Sequence, residues 1–201
     1  MDRLFVDIDT QFDFLDPAGK LYVPGAEQIH SRLERLFAFA SRSQIPVLSS
    51  ADDHAPDDPE FARFPPHCVR GTPGQKKLAI TTMPRSITIH PDDDLPDGAV
   101  ALLADHDQLI FAKDANNVFT NPHFAGLIDE LQVGEFIVFG VAFDVCVLDA
   151  ARGLLERGRR VKIVRDATRA LSAEGEAEAR RVLSLLGAAW AETAEVVGNR
   201  S

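Results

Sequence analysis

Only two cysteines, Cys68 and Cys146, occur in 201 residues, too few for the disulfide framework that staples small secreted domains. Nowhere does an apolar run approach the ~20 residues of a membrane-spanning helix, and no signal-like stretch opens the chain. A reduced, cytoplasmic setting without a membrane partner is therefore expected. Basic residues are also scarce. Lys and Arg number 21 against 31 Asp and Glu, a formal net charge of −10, which argues against nucleic acid as a partner. A small-molecule substrate stays open, because charge inside a pocket can oppose the net sign. There is no internal repeat and no low-complexity segment.

What is abundant is apolar sequence, 45% of the chain, arranged as short runs between helical patterns. Runs at Leu4–Ile8, Pro46–Leu48, Leu109–Ala112, Phe136–Phe139 and Val161–Val164 read as strands, and Ala189 to Val196 offers a sixth. Helical spacing of apolar residues marks Ala26 to Ser43, Phe124 to Leu131, the stretch after Cys146 up to Gly158, and Ala173 to Leu186. Alternating strands and helices predict an α/β fold: a doubly wound sheet of about six mainly parallel strands with helices on both faces. The length fits one domain over 1–201 at roughly 100–200 residues per domain. Two stretches stand out from the alternation. Residues 55–78 form a Pro- and Gly-rich loop too long to be a mere connector, while 79–105 read as an irregular insertion in which Ile87–His90 is a candidate edge strand.

Right-handed crossovers bring all the strand C-termini to one rim, where ligands bind in such sheets. Asp9, Asp52, His54, Lys113 and Cys146 each follow a strand and are therefore expected to converge. Asp144 is placed as the N-cap of a helix whose first turn holds Cys146, where the positive helix end favours a thiolate. Lys113 beside it would add to that effect, and Asp9 could accept the thiol proton and return it to a leaving amine. Asp52 and His54, two apart in extended chain, project to one side. With His67, and Glu60 between, they form a donor set suited to a divalent transition metal such as zinc, iron or manganese. Cys68 reads as structural, and His30, His90, His106 and His123 take no role. Phe5-Val6-Asp7-Ile8-Asp9-Thr10 also resembles the DxDxT opening of haloacid-dehalogenase-type phosphatases, in which Asp7 would be phosphorylated, but the later acidic pair that such enzymes need is poor here.

Four blocks together resemble the isochorismatase-like cysteine hydrolases, and within them the nicotinamidase (pyrazinamidase) branch. Asp9-Thr10-Gln11-Phe12-Asp13-Phe14 is similar to D-x-Q-x-D-F, and Asp52-Asp53-His54 to the D-x-H metal pair. Phe64-Pro65-Pro66-His67-Cys68-Val69-Arg70-Gly71-Thr72-Pro73-Gly74 is similar to W-P-x-H-C-V-x-G-T-x-G. Phe111-Ala112-Lys113 fits the lysine block, and Gly140 to Val147 fits G-x-A-x-D-x-C-V. The resemblance implies a catalytic triad of Asp9, Lys113 and Cys146, and metal ligands Asp52, His54 and His67, with Glu60 as a further ligand in some members. It also implies a cis peptide at Val141-Ala142, an oxyanion hole from the Ala142 and Cys146 N–H groups, and aromatic substrate walls at Phe14 and Phe64. The implied reaction is hydrolysis of nicotinamide to nicotinate and ammonia through a thioester, a step of NAD salvage, with one divalent ion, zinc first, and a homo-oligomeric assembly.

Departures from the pattern bear on the substrate. Phe64 stands where Trp is usual, Asp53 replaces a common aromatic, and Phe143 and Val145 flank the cysteine in place of smaller or polar residues. Another aromatic or small amide is thus the alternative substrate. The competing classes are the phosphatase using Asp7 and Asp9, and a binding protein that keeps the metal loop without turnover.

Overall fold

The computed structural model describes residues 1–198. In chain order its elements are β1 (Arg3–Ile8), α1 (Phe12–Leu15), α2 (His30–Ser43), β2 (Val47–Asp52), β3 (Ser86–Ile89), β4 (Gln108–Lys113), α3 (Pro122–Glu130), β5 (Glu135–Val141), α4 (Leu148–Glu156), β6 (Val161–Arg169), α5 (Ala173–Leu185), β7 (Ala189–Ala191) and α6 (Thr193–Val197). The strands form one sheet in the order β3-β4-β2-β1-β5-β6-β7, and every neighbouring pair is parallel.

Alternate strand residues feed two separate cores, as a period of two demands. Leu4, Val6 and Ile8 of β1 and Phe136 and Val138 of β5 face α3, α4 and α5. Phe5 of β1 and Ile137, Phe139 and Val141 of β5 face α1, α2 and α6. Both faces are covered, which is why the strands read as continuous apolar runs. The chain leaves β1 for β2 on one side and later returns to β5 on the other. A crevice therefore opens at the C-terminal end of β1, the usual ligand position in such sheets.

The expected α/β class holds, with seven strands rather than about six. The candidate edge strand in the 79–105 stretch forms, and two local expectations change. The 79–105 stretch supplies the edge strand β3 and 3-10 turns, and its Leu95, Leu102 and Leu103 pack on the core. The sixth predicted strand stops at Ala191. A capping box between Glu192 and Glu195 then starts α6, and Thr193 N donates to Asp166 Oδ1 at 2.7 Å. Finally, Asp144 does not cap the helix after β5. Its carboxylate turns back to accept from Leu171 N at 2.9 Å and Ser172 N at 3.2 Å, and the cysteine sits in a π-helical turn, Phe143–Val147, ahead of α4.

Gly140 marks where β5 presses hardest on β1. Its φ is +115°, and an added Cβ would lie 2.1 Å from the Ile8 carbonyl oxygen. Gly140→Ala is expected to destabilise the protein by roughly 2–4 kcal/mol, combining backbone strain with overpacking. Urea unfolding checks this, and a midpoint equal to wild type would contradict it.

Candidate functional site

Because β1, β2, β4 and β5 are parallel, the residues at their ends share a rim. Asp52 and Lys113 are direct partners in the β2–β4 register. Asp9 leaves β1 with φ +49°, a left-handed conformation that Asp tolerates better than most residues. The Lys113 ammonium, 2% exposed, is the meeting point. It lies 2.9 Å from Asp9 Oδ2, touches Asp52 Oδ1, and is 3.8 Å from Cys146 Sγ. Ser50 Oγ donates to Asp9 Oδ1 at 2.6 Å and fixes that carboxylate from the other side.

Burial and charge compete at each of these groups. Burial alone would discharge Lys113, yet Asp52, Asp9 and the facing sulfur drive its pKa well up, so it stays an ammonium. Burial likewise opposes charge on Asp52, but Lys113 and the two imidazoles hold its carboxyl well below the usual range. Asp9 goes the other way, because burial, helped by the Asp52 charge, outweighs Lys113 and raises its pKa. The Cys146 thiol is also pushed up, by burial first, with Asp9 and Asp52 offsetting Lys113. This corrects the expectation of a readily ionised thiol. A fractional helix charge cannot match desolvation plus two carboxylates.

Asp52 turns its second oxygen toward two histidines. Oδ2 lies 3.5 Å from His54 Nε2 and 3.6 Å from His67 Nε2. Among the described residues, Asp52, His54 and His67 form the group whose potential ligand atoms lie within 4.8 Å of one another. Each imidazole has its other nitrogen committed, His54 Nδ1 to Asp58 Oδ2 at 3.0 Å and His67 Nδ1 to the Pro65 carbonyl at 2.8 Å. That arrangement fixes the tautomer and aims Nε2 inward, as in histidines that bind metal. His54 Nε2 is buried without a hydrogen-bond partner. Burial opposes charge there, yet Asp52 and Asp58 raise the His54 pKa to about 9, so the point attracts a positive charge. The donor set, orientation and field all fit a divalent cation.

Asp52, His67, Cys146 and Ala142 line one cavity with Phe14, Phe64 and Glu60. Glu60 is half-buried in its wall but contributes no atom to the three-residue group. The peptide Val141-Ala142 is cis. Phe14 and Phe64 approach the His67 ring with centroids 5.3 and 6.3 Å away. Cys68 is buried with its thiol pushed up by burial, apart from this cavity's lining.

Several contributors escaped the sequence reading. Phe61 packs against both imidazoles, at 5.5 and 5.8 Å between centroids. Leu21, Val23, Asn116 and Leu171 complete the cavity wall, together with Val145, which the sequence places beside the cysteine. Gln11 clasps the Asp52 backbone from both sides at 2.8 Å, and Asp13 Oδ2 accepts from Cys68 N at 2.7 Å, tying the loop after β2 to the turn after β1. Asp58 had a usable signal, a carboxylate four residues past His54, but loop geometry decides whether such a pair meets.

Comparison with known proteins agrees with this architecture. The isochorismatase domain family model matches residues 84–195. An uncharacterized isochorismatase family protein, PncA, of Bacillus subtilis is 26% identical over 185 residues, covering 88% of this chain and 91% of its own. The nicotinamidase of Saccharomyces cerevisiae is 24% identical over 205 residues, covering 87% and 91%. The zinc complex of Pyrococcus horikoshii pyrazinamidase superposes with a TM-score of 0.76 at 23% identity, covering 96% of this chain and 99% of that one.

If the carboxylate on His54 Nδ1 orients a metal-binding imidazole, Asp58→Ala should weaken zinc binding about 10–100-fold. Competition against a chromophoric chelator measures this, and unchanged affinity would separate Asp58 from the site.

Proposed function

The chain belongs to the isochorismatase family of hydrolases, and we propose that it is a metal-dependent cysteine amidohydrolase acting on nicotinamide or a related small aromatic carboxamide. One observation carries the proposal: a cysteine, an aspartate and a buried lysine meet beside an Asp-His-His group at one cavity with aromatic walls. The nicotinamidase and pyrazinamidase relatives support the substrate class.

The residues divide the work as follows. Asp52, His54 and His67 would hold the divalent ion, zinc first, which when bound supplies a positive charge for the substrate's ring nitrogen. Phe14 and Phe64 flank the ring. Cys146 Sγ attacks the carboxamide carbon as its proton passes to the Asp9 carboxylate, forming the S–C bond. The Ala142 and Cys146 N–H groups receive the oxyanion, each donor typically worth about 2.7–4 kcal/mol. Collapse breaks the C–N bond, Asp9 returns the proton to the leaving nitrogen, and ammonia departs. Water, deprotonated by Asp9, then cleaves the thioester, giving the acid and restoring the thiol. One water is consumed for each ammonia released. Lys113 remains charged throughout and keeps Asp9 ionised when the thiol needs a base.

The alternative substrate, another small amide, rests on the wall itself. Asn116 and Glu60 are polar among apolar neighbours and suit a ring bearing a further polar group. The phosphatase alternative finds no support. Asp7 is fully buried and paired with Lys77 at 2.7 Å, with no approach for a phosphoryl group.

Cys146→Ala should lower ammonia release from nicotinamide by about 10³-fold or more, while zinc content and folding stay at wild-type values. Retained turnover would overturn the proposal. The pH profile offers a second check. Asp9 must be ionised to take the thiol proton, and its pKa is raised. Hence kcat/KM should climb with pH along an acidic limb lying above the ordinary aspartate range, and should fall away as Asp9 protonates below it. A limb at ordinary aspartate values would remove Asp9 from that role.

A further inference from the structure

A second buried aspartate–lysine pair lies behind the first, and the proposed reaction does not use it. Asp7 and Lys77 are 2.7 Å apart, with side chains 0% and 5% exposed. Three donors converge on one oxygen, Asp7 Oδ2: Lys77 Nζ, Thr10 Oγ1 at 3.1 Å and Ser49 Oγ at 2.8 Å. Oδ1 is left buried without a partner. Gln108 Nε2 donates to Ser49 Oγ at 2.8 Å and extends the network onto β4.

Such a pair is poor value as a source of stability, since desolvating two ions offsets most of their attraction and an apolar pair of similar volume does as well or better. Its geometry suggests another use. Lys77 Nζ also donates to Thr10 Oγ1 at 2.8 Å and to the Ser50 carbonyl at 3.4 Å. Thr10 and Ser50 bracket Asp9: Thr10 is its chain neighbour, and Ser50 Oγ accepts from Asp9 N at 3.3 Å and donates to Oδ1 at 2.6 Å. The backbone adds two ties, Leu78 N to Thr10 O at 3.0 Å and Phe12 N to Lys76 O at 2.9 Å. Lys77 thus reaches both of the residues that flank the left-handed turn at Asp9.

We infer that the buried Asp7–Lys77 pair is a positioning device, which holds the Asp9 carboxylate against Lys113 and Cys146 by fixing Thr10 and Ser50. It touches no substrate. The inference rests on Asp9 serving as the proton acceptor for Cys146.

The test compares zinc-loaded wild type with the full-length double variant Asp7→Leu/Lys77→Met, which leaves no unpaired buried charge. Nicotinamide turnover and the rate of Cys146 carboxymethylation by iodoacetate are both measured. Misplacing a reacting group by about 1 Å can cost up to 10²-fold. Expected, therefore, is a fall in kcat of about tenfold or more with KM within about twofold, a parallel slowing of carboxymethylation, and a melting temperature close to wild type. A folded double variant with wild-type kcat and alkylation rate would overturn the inference. Should the double variant fail to fold, Thr10→Val decides, since it keeps both charges and removes the bridging hydroxyl. A lower kcat at unchanged KM, restored in Thr10→Ser, supports positioning, and an unchanged kcat refutes it. Should wild type turn over no amide, the functional proposal falls, and the carboxymethylation rates alone judge the positioning role.

Discussion

One ammonium organises this site. Lys113 is buried between Asp9 and Asp52 and faces the Cys146 sulfur. A lone ion there would cost several kcal/mol of desolvation, so its charge persists only because two carboxylates surround it. Those carboxylates belong to different groups. Asp9 sits beside the thiol, while Asp52 turns its other oxygen to His54 and His67. The ammonium therefore joins a would-be proton-transfer pair to a would-be metal cluster. Charge counting completes the picture: two carboxylates against one ammonium leave an excess negative charge in a buried place. The raised pKa of His54, about 9, is the local sign of that excess, and a divalent cation would satisfy it more fully than a proton.

Topology makes this economy possible. The strand order reverses at β1, so the ends of β2 and β5 flank the end of β1, and β4 follows β2. The turn after β1 then does double duty. Asp9 enters the cluster, while Gln11 and Asp13 reach across to Asp52 and Cys68 and hold the loop that carries His67. A segment of five residues thus carries the proposed proton acceptor and also ties down Asp52 and the loop of His67, where the proposed cation would sit. The two groups cannot drift apart without breaking the same turn.

Much of this was legible in the chain, and the failures have physical reasons. Continuous apolar runs identified the doubly covered strands, and their parallel order implied that Asp9, Asp52, His54, Lys113 and Cys146 would share a rim. The end of β7 was misread because Ala189 to Val196 is apolar enough for a strand, while the Glu192–Glu195 capping box starts a helix within it. Asp144 looked like a cap in sequence but found better donors in Leu171 and Ser172, a contact across the fold that no local pattern encodes. Phe61 and Lys77 were invisible, and Asp58 offered only its spacing from His54, for a similar reason. Each acts from the long connection between β2 and β3, where no sustained period links spacing to direction.

The thiol is where intuition from sequence and physics of the interior part most clearly. A cysteine at the start of a helical segment beside a lysine suggests a standing thiolate. In the folded chain Lys113 is already committed to two carboxylates, so it has little field left for a third anion, and burial decides the matter. A neutral thiol suits the proposed chemistry better than a permanent anion would. With Cys146 protonated and Asp9 ionised, attack passes the thiol proton to Asp9 and shifts the negative charge from Asp9 to the carbonyl oxygen, so no net charge is created. The charge that does appear, on the carbonyl oxygen, is then the only one the site must newly stabilise. Such a site invests its electrostatics in the transition state instead of the resting nucleophile.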